Sequence, residues 1–139
     1  MPPQPKFVIF AHHATYDTLH QVATLGLTAA AMGKDVIVIL LFWAIKKLAE
    51  GKIDQVDFSP ENAASSDEVT RLLKEKKVPK ISEMLQDAKH VGKFRLIACS
   101  AGLEYMGVDS AVIEKNVDEV MGLPAIIALT SDAETKLFI

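Results

Sequence analysis

The residue of this chain best suited to nucleophilic chemistry is Cys99, its single cysteine. It stands in RLIACSAGLEYMG, Arg95 to Gly107, where an apolar run gives way to the small residues Ser100, Ala101 and Gly102. A thiol attacks as its thiolate. A place just ahead of a helix favours that anion, because the first helical N–H groups lack partners and the peptide dipoles add there. A second stretch, FAHHATYD, sets His12 and His13 directly after another apolar run. A histidine beside a cysteine can accept its proton or balance its charge. Trp43, the only tryptophan, follows a third apolar run and completes the candidate set.

Each candidate has a plainer alternative. Cysteine is commonly buried as a small hydrophobe. One histidine would cap a loop while the other faces water, since helix starts favour polar residues. Trp43 would fill a core or a subunit interface, Ser100 would cap a helix, and Glu104 would face solvent. No metal is expected, because the three possible ligands come from separate segments without the spacing of a metal motif.

Other chemistries lack their residues. No GxGxxG or P-loop occurs, and the spacing of Gly26, Gly33 and Gly51 does not suit a phosphate cradle. No GxSxG elbow presents a serine. With 15 basic and 18 acidic residues the net charge is −3, and no basic tract interleaved with aromatics suggests nucleic acid. One cysteine cannot form an internal disulfide, and MPPQPK lacks the basic start and apolar core of a signal peptide. The expected setting is cytoplasmic. The apolar window Val22–Ile45 is interrupted by Lys34 and Asp35, and Val36–Ile45 is too short to span a bilayer, so no membrane span is expected.

The elements that must position these residues follow from hydrophobic period. Lys6–Ala11 and Asp35–Leu41 read as strands buried on both faces, as in parallel sheets. Between them Tyr16, Leu19, Ala23, Leu27, Ala30 and Ala31 recur at helical spacing, ended by Gly33. Phe42 and Trp43 close the second strand, before a short helix around Ala44–Glu50. Lys52–Ala64 has no period and reads as a loop, with Ser65 and Glu68 forming a capping box for the next helix. After Pro79 come a helix over Ser82–Lys89, a strand over Phe94–Ala98 and a short helix over Ser100–Met106. A strand at Val117–Val120, a helix at Leu123–Ala133 and a strand at Thr135–Ile139 complete the chain. At 139 residues this is one domain. Its expected fold is α/β: a doubly wound, Rossmann-like or flavodoxin-like, mostly parallel five-stranded sheet with helices on both faces. In such folds the first and third strands are often neighbours, which would bring His12 and His13 towards Cys99 on the carboxyl edge where ligands bind.

Three stretches together resemble the DsrE/DsrF-like family of sulfur-relay proteins, in the branch labelled peroxiredoxin-like. They are AAAMGKDVIVILLFWAIKKL (Ala29–Leu48), VPKISEMLQDAKHVGKFRLIACSAGLEYMGVD (Val78–Asp109) and VDEVMGLPAIIALTSDAETKLFI (Val117–Ile139). The resemblance covers nearly the whole chain and is strongest at the cysteine after the third strand with its downstream Met-Gly. It implies a doubly wound sheet, a small homo-oligomer and a sulfurtransferase-type carrier holding persulfide sulfur on Cys99. It implies no cofactor, and its partners would be donor or acceptor proteins with a reactive cysteine. Only Cys99 carries over; His12, His13 and Glu104 are not fixed by the family. The peroxiredoxin-like label implies no peroxidase, because no second cysteine could resolve a sulfenic acid.

A rival reading is a non-enzymatic oligomeric module that binds a small anion or nucleotide at the strand ends. There His12, His13, Ser100, Ala101, Gly102 and Trp43 would line the site, with Cys99 merely among them. A third, a purely structural oligomer, predicts a buried Cys99 with no cavity beside it. Self-association is expected in each, since Phe42, Trp43 and Met106 would otherwise add apolar surface near one edge.

Overall fold

Residues 2–139 are described by the computed structural model of the chain. The first strand, β1 (Lys6–Ala11), leads into α1 (Tyr16–Ala31), and β2 (Asp35–Leu40) into α2 (Phe42–Ala49). A loop and a 3-10 turn (Pro60–Ser65) precede α3 (Ser66–Glu75) and α4 (Ile81–Val91). Then follow β3 (Lys93–Cys99), α5 (Ser100–Tyr105), α6 (Ser110–Ile113), β4 (Glu119–Met121), α7 (Leu123–Thr130) and β5 (Thr135–Phe138). The five strands form one sheet in the order β4-β3-β2-β1-β5, and every pair is parallel. The α/β class with helices on both faces is therefore the observed one. No helix among the described residues is long and apolar enough to cross a membrane.

Parallel strands need crossovers, and the crossovers cover the sheet unequally. Ile9, Ala11, Val36, Val38, Leu40, Phe94, Leu96 and Ala98 point to one face, where α1, α2, α4, α5 and α6 pack on them. Val8, Ile37, Ile39, Ile97 and Cys99 point to the other, where the helical cover is α7 through Ile126. All six residues of β2 are buried, which explains its unbroken aliphatic run. At about 1.5–3 kcal/mol per buried aliphatic side chain, this sheet is the main source of stability.

Several boundaries differ from the sequence reading for local reasons. Phe42 and Trp43 open α2 instead of closing the strand. Ser65 makes no side-chain cap bond, because the 3-10 turn runs straight into α3. At α4 the Lys80 N–H donates to Glu83 Oε2, while Asp54 from the long loop accepts from the backbone and hydroxyl of Ser82. The fourth strand begins at Glu119, two residues late, because Asp118 Oδ2 accepts the Leu96 N–H at 2.7 Å in place of a ladder bond.

The α1–α4 layer depends on Gly92. Its φ of −167° is open to any residue, so what it supplies is space. A Cβ there would stand 2.5 Å from the Ala30 carbonyl oxygen, and backbone cannot swing aside as a side chain can. Gly92→Ala should therefore cost about 1–3 kcal/mol, the usual range for overpacking, and lower the urea midpoint of unfolding. An unchanged midpoint would show that the two helices are not held at this distance.

Candidate functional site

The candidate residues gather at the carboxyl ends of the strands, the edge at which open parallel sheets bind ligands. Two strand-to-helix turns dominate it. In the first, β2 passes into α2 through the single cap residue Leu41, and Phe42 takes φ +41°. That left-handed backbone costs an L-residue roughly 1–2 kcal/mol. In the second, Cys99 ends β3 and occupies the cap position of α5. Gly102 joins the two turns: a Cβ there would lie 3.5 Å from the Phe42 nitrogen and 3.8 Å from Cys99 Cβ.

Cys99 itself is buried, with 3% of its surface exposed. It packs in the apolar cluster of Val8, Ile37, Ile39, Ile97 and Ile126, with Ala101 and Met121 against it. The carrier reading expects a pocket beside this sulfur and the purely structural reading a sealed one; Cys99 is sealed in its apolar cluster. Ser100, expected as a cap, is instead the first residue of α5 and exposed, since Cys99 holds the cap position. Ala101 is half-buried, Gly102 is buried against α2, and Glu104 faces solvent.

The histidines lie elsewhere on the same edge. β1 and β3 are not neighbours; β2 separates them. At about 4.8 Å per strand this places the β1 turn on the order of 10 Å from the Cys99 turn, too far for a direct proton relay. The rings of His12 and His13 meet edge to face at 4.1 Å. His12 donates its backbone N–H to the Ile139 carbonyl, extending the β1–β5 pairing. His13 is exposed and lines a cleft of about 570 Å³ with Asp17, Thr18, Trp43, Phe58 and Glu61. Among the described residues no three His, Cys, Asp or Glu side chains form a metal-holding group.

The wall of that cleft is fixed by a buried charge. Lys47, 7% exposed, donates from Nζ to Asp57 Oδ1 and to the Ala14 carbonyl, both at 2.7 Å. The same Asp57 oxygen accepts the Tyr16 N–H at 2.8 Å, so one carboxylate ties the long loop to the start of α1. Burial, and then the nearby Asp54 carboxylate, hold the Tyr16 hydroxyl above its ordinary pKa, which keeps it protonated. Three aromatics on this side of the molecule stay open, Trp43 in the cleft wall and Phe42 and Tyr105 outside it: Phe42 is 47%, Trp43 56% and Tyr105 70% exposed. Phe42 and Tyr105 stack at 6.2 Å, and Lys46 sits 5.9 Å over the Trp43 ring.

Sequence reasoning passed over Lys47, Asp57 and Tyr105. Lys47 had a readable signal, because its spacing from Ala44 puts it on the buried side of α2. Asp57 had none, being one acid in an aperiodic loop.

No family model and no curated protein matches the chain. Among solved structures it is similar to a conserved protein of unknown function from Bacteroides thetaiotaomicron. The TM-score is 0.61 over 97% of this chain and 95% of the other, at 18% identity. That likeness carries the fold.

The Phe42 backbone can be tested by a ranking of variants. Phe42→Gly should be more stable than Phe42→Val by about 1–2 kcal/mol, because glycine accepts the left-handed turn and a β-branched residue does not. An ordinary first turn would not favour glycine, which loses more backbone entropy than valine. Thermal unfolding that ranks Val above Gly would remove the strain from this site.

Proposed function

We propose that the protein is a persulfide-based sulfur carrier in which Cys99 accepts and passes on sulfane sulfur. What supports this reading is the seat of its one thiol: the end of an inner parallel strand, near Gly102, which also lies close to the left-handed Phe42 turn. Residues in sparsely populated backbone conformations cluster at functional sites, and the carboxyl edge is where this fold class does chemistry. The resemblance of Ala29–Leu48, Val78–Asp109 and Val117–Ile139 to sulfur-relay proteins agrees with it.

The exchange needs no cofactor. The Cys99 thiolate attacks the terminal sulfur of a donor persulfide. One S–S bond forms on Cys99 as the donor's S–S bond breaks, and the donor departs as a thiolate that takes the proton released by Cys99. Oxidation state is conserved overall, so neither oxidant nor reductant is consumed. Discharge to an acceptor cysteine is the same step reversed, and a single cysteine suffices because exchange runs between proteins. A reducing, cytoplasmic setting suits such a thiol. Phe42, Trp43 and Tyr105 offer the donor or acceptor protein an aromatic contact on this edge.

Burial sets a condition on this chemistry. Cys99 is buried in the cluster with Ile126, so the apolar cover of this face, α7 with Ala101 and Met121, must part before a partner sulfur can reach it. Gly122 links β4 to α7 beside Ser100 and is the natural place for that movement.

A second reading rests on a separate observation, the 570 Å³ cleft with His13 and Trp43. In it the chain binds a small molecule there and Cys99 only packs. Intact mass after incubation of folded protein with a persulfide donor separates the two. The carrier gains one sulfur atom, removed by a thiol reductant, and Cys99→Ser gains none. Folded wild-type protein that stays unmodified throughout would end the carrier reading.

A further inference from the structure

We propose that the groove around Trp43 binds a short peptide with free ends, its ammonium held at one pole and its carboxylate at the other. This rests on the cleft of the second reading and names its ligand class, and it holds whether or not Cys99 carries sulfur.

Two hollows meet at Trp43. One is the cleft of about 570 Å³ and the other has about 290 Å³, and Ala14, Trp43 and Asp57 line both. Their charges are opposite. Asp17 and Glu61 line the larger, and among the described residues neither has an ion-pair partner, nor does any lysine or arginine share that lining. Asp57 already balances Lys47 and accepts the Tyr16 N–H, so the positive end of α1 is met and the two free carboxylates set the sign. Lys46 and Lys52 line the smaller hollow and share one carboxylate, Glu50, at 3.9 and 3.2 Å. Lys47 being paired, one positive charge is left over there.

Trp43 stands between the poles, 56% exposed, and its indole face is a platform for an apolar or aromatic side chain. Lys46 sits 5.9 Å over the ring, so platform and basic pole are contiguous. Buried Lys47 fixes the wall behind them, which lowers the cost of ordering a ligand there. Spacing sets the ligand's length. Trp43, Lys46 and Glu50 follow one face of α2, so the basic pole begins one turn, about 5 Å, along the helix from the indole. Asp17 and Glu61 enter the other hollow from α1 and the 3-10 turn. With the breadth of the indole added, the poles are on the order of 10 Å apart. A free amino acid carries both charges on one carbon and reaches only one pole. An extended chain covers about 3.3–3.6 Å per residue, so three residues span the groove. A polyamine would leave the lysine pole unmatched, and a dicarboxylate the acidic one.

Trp43 is the only tryptophan, so its fluorescence reads the groove directly. Titrating the full chain with the tripeptide Ala-Phe-Ala should give a saturable change in that emission. Acetylating the peptide's amine or amidating its carboxylate should each weaken binding at least about tenfold, as the loss of one charged contact does. Asp17→Asn with Glu61→Gln should weaken the free and amidated peptides but not the acetylated one, and Lys46→Gln with Lys52→Gln the free and acetylated peptides but not the amidated one. All four side chains are exposed, so circular dichroism should be unchanged. Blocked peptides bound as tightly as the free one would overturn the proposal while keeping the cleft a binding site. No saturable change with any of the three would overturn it and withdraw its support from the cleft.

Discussion

Everything in this molecule depends on covering an all-parallel sheet whose inner strands are apolar on both faces. β2 exposes almost none of its six residues, and Val8, Ile9, Ile37, Ile39 and Ile97 are sealed. Parallel pairing forces each connection to cross the sheet, so helices must supply the cover. One face receives five of them, packed closely enough that Gly92 and Gly102 stand where a methyl group would collide. The other receives α7 alone. Cys99 points to the side that α7 alone covers, and Ile126 of that helix is buried with it.

The carboxyl edge is organised by charges brought in from outside the sheet. The loop between α2 and the 3-10 turn sends Asp54 to the start of α4 and Asp57 to the start of α1. At each end a carboxylate meets unpaired N–H groups and the positive end of the dipole. Lys47 reaches the same Asp57 from beneath, so a buried cation is balanced by a carboxylate and a main-chain carbonyl. An aperiodic loop is thereby fixed as one wall of the His13–Trp43 cleft. The surfaces around Cys99 are different in kind: aliphatic, small and free of charge. Two chemically distinct neighbourhoods share one edge, with β2 between them.

Strands and long helices could be read because their signals are local. Lys6–Ala11 and Tyr16–Ala31 have the bounds their hydrophobic period indicates. Strand order could not be read, since nothing in the residues after β1 says whether β2 or β3 lies beside it, and this moved the histidines away from Cys99. Phe42 carried no turn signal, because a left-handed residue is normally announced by Gly, Asn or Asp. The single turn of α6 depends on Asp109 accepting the Ala111 N–H, one bond too local to show as a period. The position of Cys99 at a strand end was legible from the apolar run before it. Its burial was not, because the cover comes from Met121 and Ile126, more than twenty positions away.

The central claim is that Cys99 is buried at rest and reached by a local opening of its lid. The most direct measure is the rate at which a thiol reagent labels folded protein in rising urea, below the unfolding transition. Local opening exposes little surface, so the labelling rate should stay nearly flat at low urea and steepen only near the midpoint. A rate that climbs from the first addition of urea with the full slope of global unfolding would contradict the account. Cys99 would then be reached only when the whole sheet comes apart.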